Sequence, residues 1–373
     1  MRILLMVKQF DCGGAQNHVR ELACALVRRG HRVWVAAPHG HQAALLDPAV
    51  VHVPVAYCDL LHHGLALRLA HLVRREGIDV LHAHQRLPTL TALLAGRLAG
   101  RPVIVTLHGQ LQHDLTRWPA TAQLLSRLIV VSPFFADLVA RHEPALASKT
   151  VCIPNGVRRS ALARAPDGHL VLYAGRLTPR HEPFLDALAG AAQDLAVEFP
   201  DLVLSIAGEG PSAPFLRARA DAANHAASRE VVCPCGFLPD LPDAFVAAAL
   251  AIGVGRVALE AMMQGVPLLA ANPRYLGSVV TQGNYAAMAA MNFVPQRCPA
   301  PTRAGIRRAL ASALARMDAC EAEARALQPS VVRDYHLDAV AARVEGEYAR
   351  LAHARRIARP AAGDLAPTAL RAG

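Results

Sequence analysis

Residues 251–273, AIGVGRVALEAMMQGVPLLAANP, combine residue types that suit a phosphorylated ligand. Their pattern predicts a loop, a helix and then a buried strand, because Gly253 and Gly255 free the backbone and Gly265 ends the helical run. A glycine-rich loop that opens a helix presents unpaired N–H groups and the positive end of the helix dipole to phosphate. One acid, Glu260, stands among apolar neighbours in this helix, so it either binds a ligand or faces solvent.

Two other spacings could hold a metal. Cys233 and Cys235 form a C-x-C pair, and His82 and His84 share one face of a predicted strand. The cysteine pair alone is weak support for zinc, and no third ligand accompanies the histidines along the sequence. We therefore expect the eight cysteines to be reduced and structural, as in a cytosolic protein, and the two histidines to serve structure or to contact a substrate.

The composition is that of a globular chain large enough for two cores. Of the 373 residues, 53% are hydrophobic and 18% are charged, which excludes a disordered chain, and a single core seldom grows past ~250–300 residues. Lys8 and Asp11 come too early for the apolar segment of a secretory signal. The apolar run at 244–255 is shorter than the ~18 residues that span a bilayer, so we expect a soluble protein.

The net charge of +10 is concentrated in the first half of the chain. Residues 1–158 hold 17 Lys and Arg against 9 Asp and Glu, and the remainder holds 22 against 20. This balance favours anionic partners, such as phosphorylated substrates or an acidic membrane surface, although solvated helix faces would give the same count. Aromatic residues make up only 5% of the chain and do not alternate with basic ones, so we expect no nucleic-acid partner.

Strand and helix patterns alternate along most of the chain. The run RILLMVK at 2–8 predicts a buried strand, and a glycine loop and an amphipathic helix follow it. The alternation continues to about residue 157, passes a polar, small-residue linker at 158–169 and restarts. It predicts an α/β fold with two doubly wound parallel sheets, whose carboxyl ends face a common cleft. The predicted units are residues 1–160, residues 169–332, a terminal helix at 333–355 and an unstructured tail at 356–373.

Nine short motifs, in order across both predicted domains, carry a resemblance to a known family. They are CGGAQNHVREL, DVLHAH, VTLHG, VVSPFFADLV, IPNGV, YAGRL, IAGEGP, GFLPDLPDAF and ALEAMMQGVPLLA. Over residues 1 to about 350, the chain resembles the retaining family-4 glycosyltransferases with the GT-B fold. The resemblance implies two Rossmann-like domains around an interdomain cleft, a nucleotide-sugar donor held mainly by the second domain and an acceptor entering from the first. It also implies that no metal and no cofactor is needed.

The matched motifs imply roles for individual residues. Glu260 matches the acid that binds the ribose hydroxyls, and Arg176 matches the arginine that grips the diphosphate. His108 matches the histidine near the donor sugar and the acceptor, where it can bind a sugar hydroxyl or help to manage the proton. The resemblance implies the remaining donor contacts for Gly13, Gly14, Gly208, Gly210, Phe237, Leu238, Gly253, Val254 and Gly255.

Two positions depart from the family pattern. Relatives carry two acids spaced E-x7-E, of which the first contacts the donor sugar, and here that position is Ile252. The lysine expected six residues after Gly175 is His181. Arg180 is therefore our candidate for the missing positive charge and for catalytic stabilisation of the leaving diphosphate. We expect the nucleotide contacts to be kept and the sugar contacts to be altered.

The residues and the resemblance together predict a glycosyltransferase that moves a sugar from a UDP- or GDP-linked donor to a hydroxyl acceptor with retention. The basic first half favours a lipid-linked or cell-envelope glycan acceptor at the inner membrane face, and hence a cytoplasmic or peripheral membrane protein. Ile252 and His181 leave open a non-catalytic relative that binds nucleotide or glycan.

Other activities on the same fold fit the sequence less well. An epimerase should carry more acids and histidines in its cleft motifs. A phosphorylase would need a lysine for its cofactor aldehyde, and neither of the two lysines, Lys8 and Lys149, lies in a suitable motif.

Overall fold

The computed structural model of the chain describes residues 1–11, 13–109 and 119–358, which form two α/β domains. Each domain is built on its own mainly parallel sheet, as the alternation of strand and helix patterns predicts. The tail predicted for 356–373 lies outside the described residues from 359 onward.

The first domain contains a sheet of seven parallel strands. Strands β1 to β7 are Arg2–Val7, Arg32–Ala37, Val51–Pro54, Val80–His84, Val103–Leu107, Arg127–Val130 and Thr150–Cys152. Their order in the sheet is β3-β2-β1-β4-β5-β6-β7, and every neighbouring pair is parallel. The described helices α1 to α7 are Gly14–Arg28, His41–Ala44, His62–Arg75, Arg86–Ala99, Pro119–Leu124, Pro133–His142 and Pro144–Ala147.

The second domain contains a sheet of six strands. Strands β8 to β13 are Leu170–Ala174, Val203–Ala207, Val232–Gly236, Leu250–Gly253, Leu268–Ala271 and Leu276–Val279. They lie in the order β10-β9-β8-β11-β12-β13, and the β12–β13 pair is antiparallel, unlike the other four pairs. Helices α8 to α13 are Glu182–Leu195, Ala213–Ala227, Leu241–Ala247, Gly255–Met263, Tyr285–Ala290 and Arg303–Leu314, with a 3₁₀ turn at Pro179–His181 before α8.

Burial of the first strand and helix follows from their sequence. In β1, the residues from Ile3 to Val7 are completely buried, because helices cover both faces of a parallel sheet. In α1, Val19, Leu22, Ala23 and Leu26 are completely buried, as their spacing along one helical face predicts. These apolar faces form the core that fixes where the loops after the strands lie.

The last two helices return the chain from the second domain to the first. Helix α14 (Met317–Tyr335) packs in the core of the second domain, and helix α15 (Leu337–Ala358) packs on the first domain, where Val344 and Tyr348 join the core beside α1. The crossing is fixed at Val157, whose N–H donates to Tyr335 O at 2.9 Å and whose carbonyl accepts from Leu337 N–H at 2.9 Å. The domains are therefore joined twice, once at the linker and once at this crossing.

Two further features concern the chain as a whole. Within the described ranges, no helix has the length and the apolar character that crossing a membrane requires. The seven cysteines for which the structure gives a position are all free thiols, as the scattered spacing predicts.

Candidate functional site

A cleft of about 870 Å³ lies between the two domains, at the carboxyl ends of strands from both sheets. Its first-domain side includes Gly13 after β1 and His108 directly after β5. Its second-domain side includes Arg176 after β8, Gly208 directly after β9 and Gly253 at the end of β11. Ligands of open α/β sheets bind in such crevices outside the carboxyl ends of the strands, so this cleft is the candidate site.

The cleft brings together nearly all of the residues predicted from the sequence. Those that line it are His108, Arg176, Arg180, Gly13, Gly14, Gly208, Phe237, Leu238, Gly253, Val254 and Glu260. Gly210 and Gly255 are not among the lining residues. The amide of Gly255, the first residue of α11, donates to Asn292 O at 3.0 Å, so this N–H is already used within the protein.

A close approach of backbone segments shapes the second-domain side of the cleft. Gly208 has φ +149°, and its N–H donates to Gly236 O at 2.7 Å. A side-chain Cβ at Gly208 would lie 1.9 Å from Gly175 O, so no other residue fits at this position without moving the loops. The loops after β8, β9 and β10 therefore pack directly against one another.

A buried group of three charges, Glu21, Arg256 and Glu260, joins the two domains beneath the cleft. Arg256 is on α11, and its Nε donates to Glu260 Oε1 at 2.8 Å on the same helix. Its Nη2 forms an ion pair with Glu21 on α1 of the first domain, and its Nη1 donates to Gly156 O at 2.9 Å. All three side chains are 6% exposed or less, so each charge depends on the others for its stabilisation.

Glu260 lines the cleft but is not an isolated carboxylate. Burial raises its pKa to about 7, and the guanidinium of Arg256 opposes that shift. Its second oxygen, Oε2, has no hydrogen-bond partner in the part of the chain that the structure describes. The carboxylate can therefore accept hydrogen bonds from hydroxyl groups on Oε2 while Arg256 holds Oε1.

Positive charge dominates the remaining polar lining. Arg176, Arg180 and Arg274 are exposed at the cleft, and none of them pairs with a carboxylate among the described residues. His181 also lines the cleft, with Nδ1 at 2.6 Å from Thr178 Oγ1, and its pKa is lowered by burial and by the nearby Arg176. A neutral His181 cannot replace a lysine, whereas Arg180 in the preceding position carries a permanent charge.

His108, on the first-domain side of the cleft, is held in a fixed orientation. His108 Nδ1 lies 3.1 Å from Asn155 Oδ1, and His108 Nε2 lies 2.9 Å from His84 Nδ1. Burial lowers the pKa of His108 to about 4, with a further lowering by Arg256 that the Asn155 contact opposes. At neutral pH, His108 is therefore an uncharged hydrogen-bonding group at the edge of the cleft.

Ile252 does not contribute to the cleft. It is completely buried in β11, where it is paired with Tyr173 on β8 and with Leu269 on β12. The loop predicted for residues 251–253 is thus wrong, because these apolar residues continue the central strand. The loop consists of little more than Val254 before α11 begins.

Four residues that the sequence analysis did not select support the site, namely Glu21, His18, Asn155 and Arg256. His18 and Glu21 lie within α1, which follows the glycine loop. Asn155 follows β7. Arg256 stands four residues before Glu260, a spacing that places both on one face of a helix and could have suggested the ion pair. No local pattern in the sequence connects either residue with Glu21, which is distant along the chain.

The chain matches two families of known proteins in consecutive parts. Residues 12–160 match the family described as Glycosyltransferase Family 4, and residues 168–312 match the family described as Glycosyl transferases group 1. A curated relative is the phosphatidyl-myo-inositol mannosyltransferase of Mycobacterium leprae (strain TN). It is 29% identical over 388 residues, which cover 94% of this chain and 97% of the relative.

Solved structures show a similar fold. A glycosyltransferase from Rickettsia africae has a TM-score of 0.72 at 16% identity, covering 94% of this chain and 98% of its own. The Anabaena protein Alr3699/HepE in complex with UDP has a TM-score of 0.70 at 17% identity, covering 94% and 100%. These likenesses confirm the predicted architecture of two Rossmann-like domains facing a cleft.

The buried charges make a prediction about stability. Replacing Arg256 with Met should lower the free energy of unfolding by about 3–5 kcal/mol, because it leaves Glu21 and Glu260 buried without a cation. The measurement is urea denaturation followed by circular dichroism. Arg325→Met is the matched control, because Arg325 forms an exposed ion pair with Glu321 four residues away and should change stability by less than about 1 kcal/mol. Equal stability of the two variants would contradict this account.

Proposed function

Because the chain belongs to the family-4 glycosyltransferases of the GT-B fold, we propose that it transfers a sugar from a UDP- or GDP-linked donor to a hydroxyl group of a lipid-linked acceptor with retention. The observation that carries this proposal is the grouping of Arg176, Arg180 and Glu260 in one cleft. Unpaired guanidinium groups suit a diphosphate, and a carboxylate oxygen suits the two vicinal hydroxyls of a ribose. Both parts of a nucleoside diphosphate thus find matching groups within this cleft.

The donor would lie mainly against the second domain. Phe237 and Leu238 follow β10 and offer an apolar surface for the base, while Gly253 and Val254 allow close approach to the diphosphate and sugar. The Anabaena neighbour, whose fold is similar, was solved with UDP. A nucleotide-sugar donor is therefore consistent with the chemistry of the cleft and with the fold.

The acceptor would lie on the side of His108 and Gly13. The Mycobacterium leprae relative is named for transfer of mannose to phosphatidyl-myo-inositol, so we extend to this chain a mannosyl donor and an inositol-containing or similar polyol lipid. In the transfer, the acceptor oxygen forms a bond to the anomeric carbon while the bond from that carbon to the diphosphate breaks. The acceptor proton passes to the leaving diphosphate, whose charge Arg176 and Arg180 stabilise.

The role of His108 in this scheme is orientation. Both of its ring nitrogens are engaged, Nδ1 with Asn155 and Nε2 with His84, so the fixed imidazole would position the acceptor by van der Waals contact of its ring at the edge of the cleft. Such positioning contributes to rate by keeping the reacting atoms in a productive geometry. None of these steps uses a metal or a cofactor, and we propose that the reaction requires neither.

The first domain also offers a surface that suits an anionic membrane. Helix α3 exposes Leu67 and Arg68, and the preceding residues Leu60 and Leu61 are 88% and 66% exposed. Arg68 and Arg75 of the same helix also border a mainly apolar groove of about 330 Å³. Exposed leucines next to arginines combine insertion between lipids with attraction to acidic headgroups. A protein that binds the membrane through this surface would lie next to a lipid acceptor in the same membrane.

The transfer reaction is testable directly. With mannosyl and glucosyl nucleotides and vesicles that contain phosphatidylinositol, we expect one donor to yield a glycolipid whose anomeric configuration, read by NMR, equals that of the donor. Added chelator should leave the rate unchanged. Arg176→Ala should lower kcat about 10²-fold or more, by analogy with the loss of one transition-state hydrogen-bond donor. Nucleotide binding without any transfer would favour the non-catalytic alternative, and inversion would exclude retention.

Glu260 makes a prediction about nucleotide affinity and its dependence on pH. Glu260→Gln should weaken binding of the nucleotide by ~10-fold or more. Because the pKa of Glu260 is raised to about 7, the wild-type carboxyl gains charge as pH rises through that value, so affinity should increase there. This step should be absent in Glu260→Gln. Titration calorimetry between pH 6 and pH 8 measures both effects.

The control for this experiment is Glu198→Gln, at an exposed glutamate of the second domain outside the cleft. It should retain both the affinity and the pH dependence of the wild type. Unchanged nucleotide affinity in Glu260→Gln would exclude the ribose contact.

The proposed membrane surface predicts selective effects of charge removal. The double variant Arg68→Ala, Arg75→Ala should bind vesicles of acidic lipid ~10–30-fold more weakly, because each basic residue near such a surface contributes ~1 kcal/mol. Vesicle sedimentation at physiological salt is the measurement. Arg217→Ala, Arg308→Ala removes the same charge from exposed positions of the second domain and should have little effect. Equal losses in both double variants would point to net charge rather than to this surface.

A further inference from the structure

Four histidines of the first domain lie together beside the cleft. His82 and His84 are on β4, His18 is on α1 and His108 follows β5. The ring centroids of His18, His84 and His108 are 4.9–5.5 Å apart. His82 is fully hydrogen-bonded, with Nδ1 at 2.6 Å from Tyr348 OH and Nε2 at 2.7 Å from Thr106 Oγ1. His82 therefore has a structural role, and the other three rings form a separate group.

Hydrogen bonds set the proton positions on two of these rings. Asn155 Oδ1 is an acceptor, so His108 Nδ1 carries a hydrogen and His108 Nε2 carries a lone pair. His84 Nδ1 must then donate to His108 Nε2. The remaining nitrogen of His84, Nε2, consequently carries a lone pair that faces no donor within the described ranges.

Among the residues that the structure describes, three ring nitrogens of this group are buried and have no hydrogen-bond partner. They are both nitrogens of His18 and Nε2 of His84, and the two residues are completely or almost completely buried. A buried polar atom that lacks a hydrogen bond costs ~1–3 kcal/mol. Native proteins seldom carry several such atoms side by side. The arrangement therefore suggests that a further group completes the cluster.

We propose that His18, His84 and His108 bind a divalent transition metal ion of the zinc type. One ring nitrogen from each residue can be chosen so that all three lie within 4.8 Å of one another. The ion would replace the hydrogen between His84 Nδ1 and His108 Nε2, and the His84 ring would carry its hydrogen on Nε2 instead. Zinc–nitrogen bonds of ~2.0–2.1 Å in tetrahedral geometry place ligand nitrogens ~3.4 Å apart, so the most widely separated nitrogens need to approach each other by up to about 1.4 Å. Three histidines with an open fourth position are a known ligand set for zinc.

The surroundings of the three histidines suit this assignment. Asn155 accepts from the far nitrogen of His108, as outer-shell partners of metal-bound histidines do. Burial lowers the pKa values of His18, His84 and His108, which keeps the rings in the neutral form that binds a metal. The positive charge of Arg256 would repel a bound cation, but the carboxylates of Glu21 and Glu260 offset this charge. His108 lines the cleft, so an ion can enter from there.

This site shares His108 with the lining of the cleft, but metal binding there can be tested separately from the proposed transfer reaction. The reaction is expected to proceed without metal, and the test therefore measures binding and not turnover. Failure of the metal site would leave the proposed function untouched, and failure to detect transfer would leave the metal site untouched.

The experiment uses the full chain without an affinity tag, stripped with chelator and titrated with Co²⁺, which reports tetrahedral coordination by visible absorption. We expect one Co²⁺ per chain, displaced by one Zn²⁺. His18→Gln and His84→Gln should each weaken binding by more than the ~10–100-fold that loss of an outer-shell partner causes, and Asn155→Ala should fall within that range. The double variant His62→Ala, His63→Ala removes an exposed histidine pair and should bind like the wild type.

Two measurements keep the outcome decisive. Circular dichroism establishes that the glutamine variants are folded, and X-ray absorption of the zinc-loaded wild type counts the imidazole ligands without any substitution. Three imidazole ligands would support the assignment. The assignment is overturned if the stripped protein takes up no metal, if His84→Gln binds it unchanged, or if binding is lost with the exposed pair.

Discussion

One buried guanidinium determines how the two domains meet. Arg256 donates to a carboxylate of its own helix, a carboxylate of the other domain and the Gly156 carbonyl at the crossover between the domains. Taking such charges out of water is costly, and the cost is recovered only while all three contacts are made together. Relative displacement of α1 and α11 would break the set, so the width of the cleft depends on this group of charges.

The same group of charges would couple a ligand bound at Glu260 to the contact between the domains. Glu260 offers one oxygen to the cleft and gives the other to Arg256, which in turn binds Glu21 of the first domain. If a donor binds Glu260 as proposed, it alters the carboxylate that fixes Arg256, and the interdomain ion pair alters donor affinity by the same free energy. Glu260, which the sequence motif predicts to contact the nucleotide, is therefore also part of the interdomain contact. The two roles cannot be separated by substituting Glu260 alone.

The sequence predicted the fold well because the information is local. Apolar runs such as residues 2–8 specify buried parallel strands, and the spacing of Val19, Leu22 and Leu26 specifies the buried face of α1. Most motif residues line the cleft because they come directly after strands, whose carboxyl ends a doubly wound fold brings to one edge. Boundaries were less predictable. Gly253 reads as the start of a loop but ends β11, since its apolar neighbours are paired with strands on both sides.

What the sequence could not predict depends on contacts between distant segments. His82 and His84 suggested a metal pair without a third ligand, and the histidines that complete the group come from α1 and from the end of β5. Glu21 is similar, because nothing near it in the sequence indicates a partner in the other domain. Residues of this kind become visible only when the register of the sheet and the packing of α1 are known.

Ile252 shows how a departure from the family pattern acquires a physical meaning. The missing acid suggested an altered contact to the donor sugar, and the structure places Ile252 in the strand core and away from the cleft. If a nucleotide sugar binds here as proposed, its hydroxyls would meet Glu209 and Glu260, the acids that line the cleft within the described residues, together with amide and guanidinium groups. Asn17, Asn272 and Arg274 are placed to supply them. A guanidinium only donates hydrogen bonds, whereas an amide both donates and accepts them, so these groups can contact either the oxygen or the hydrogen of a hydroxyl, while a carboxylate contacts only the hydrogen.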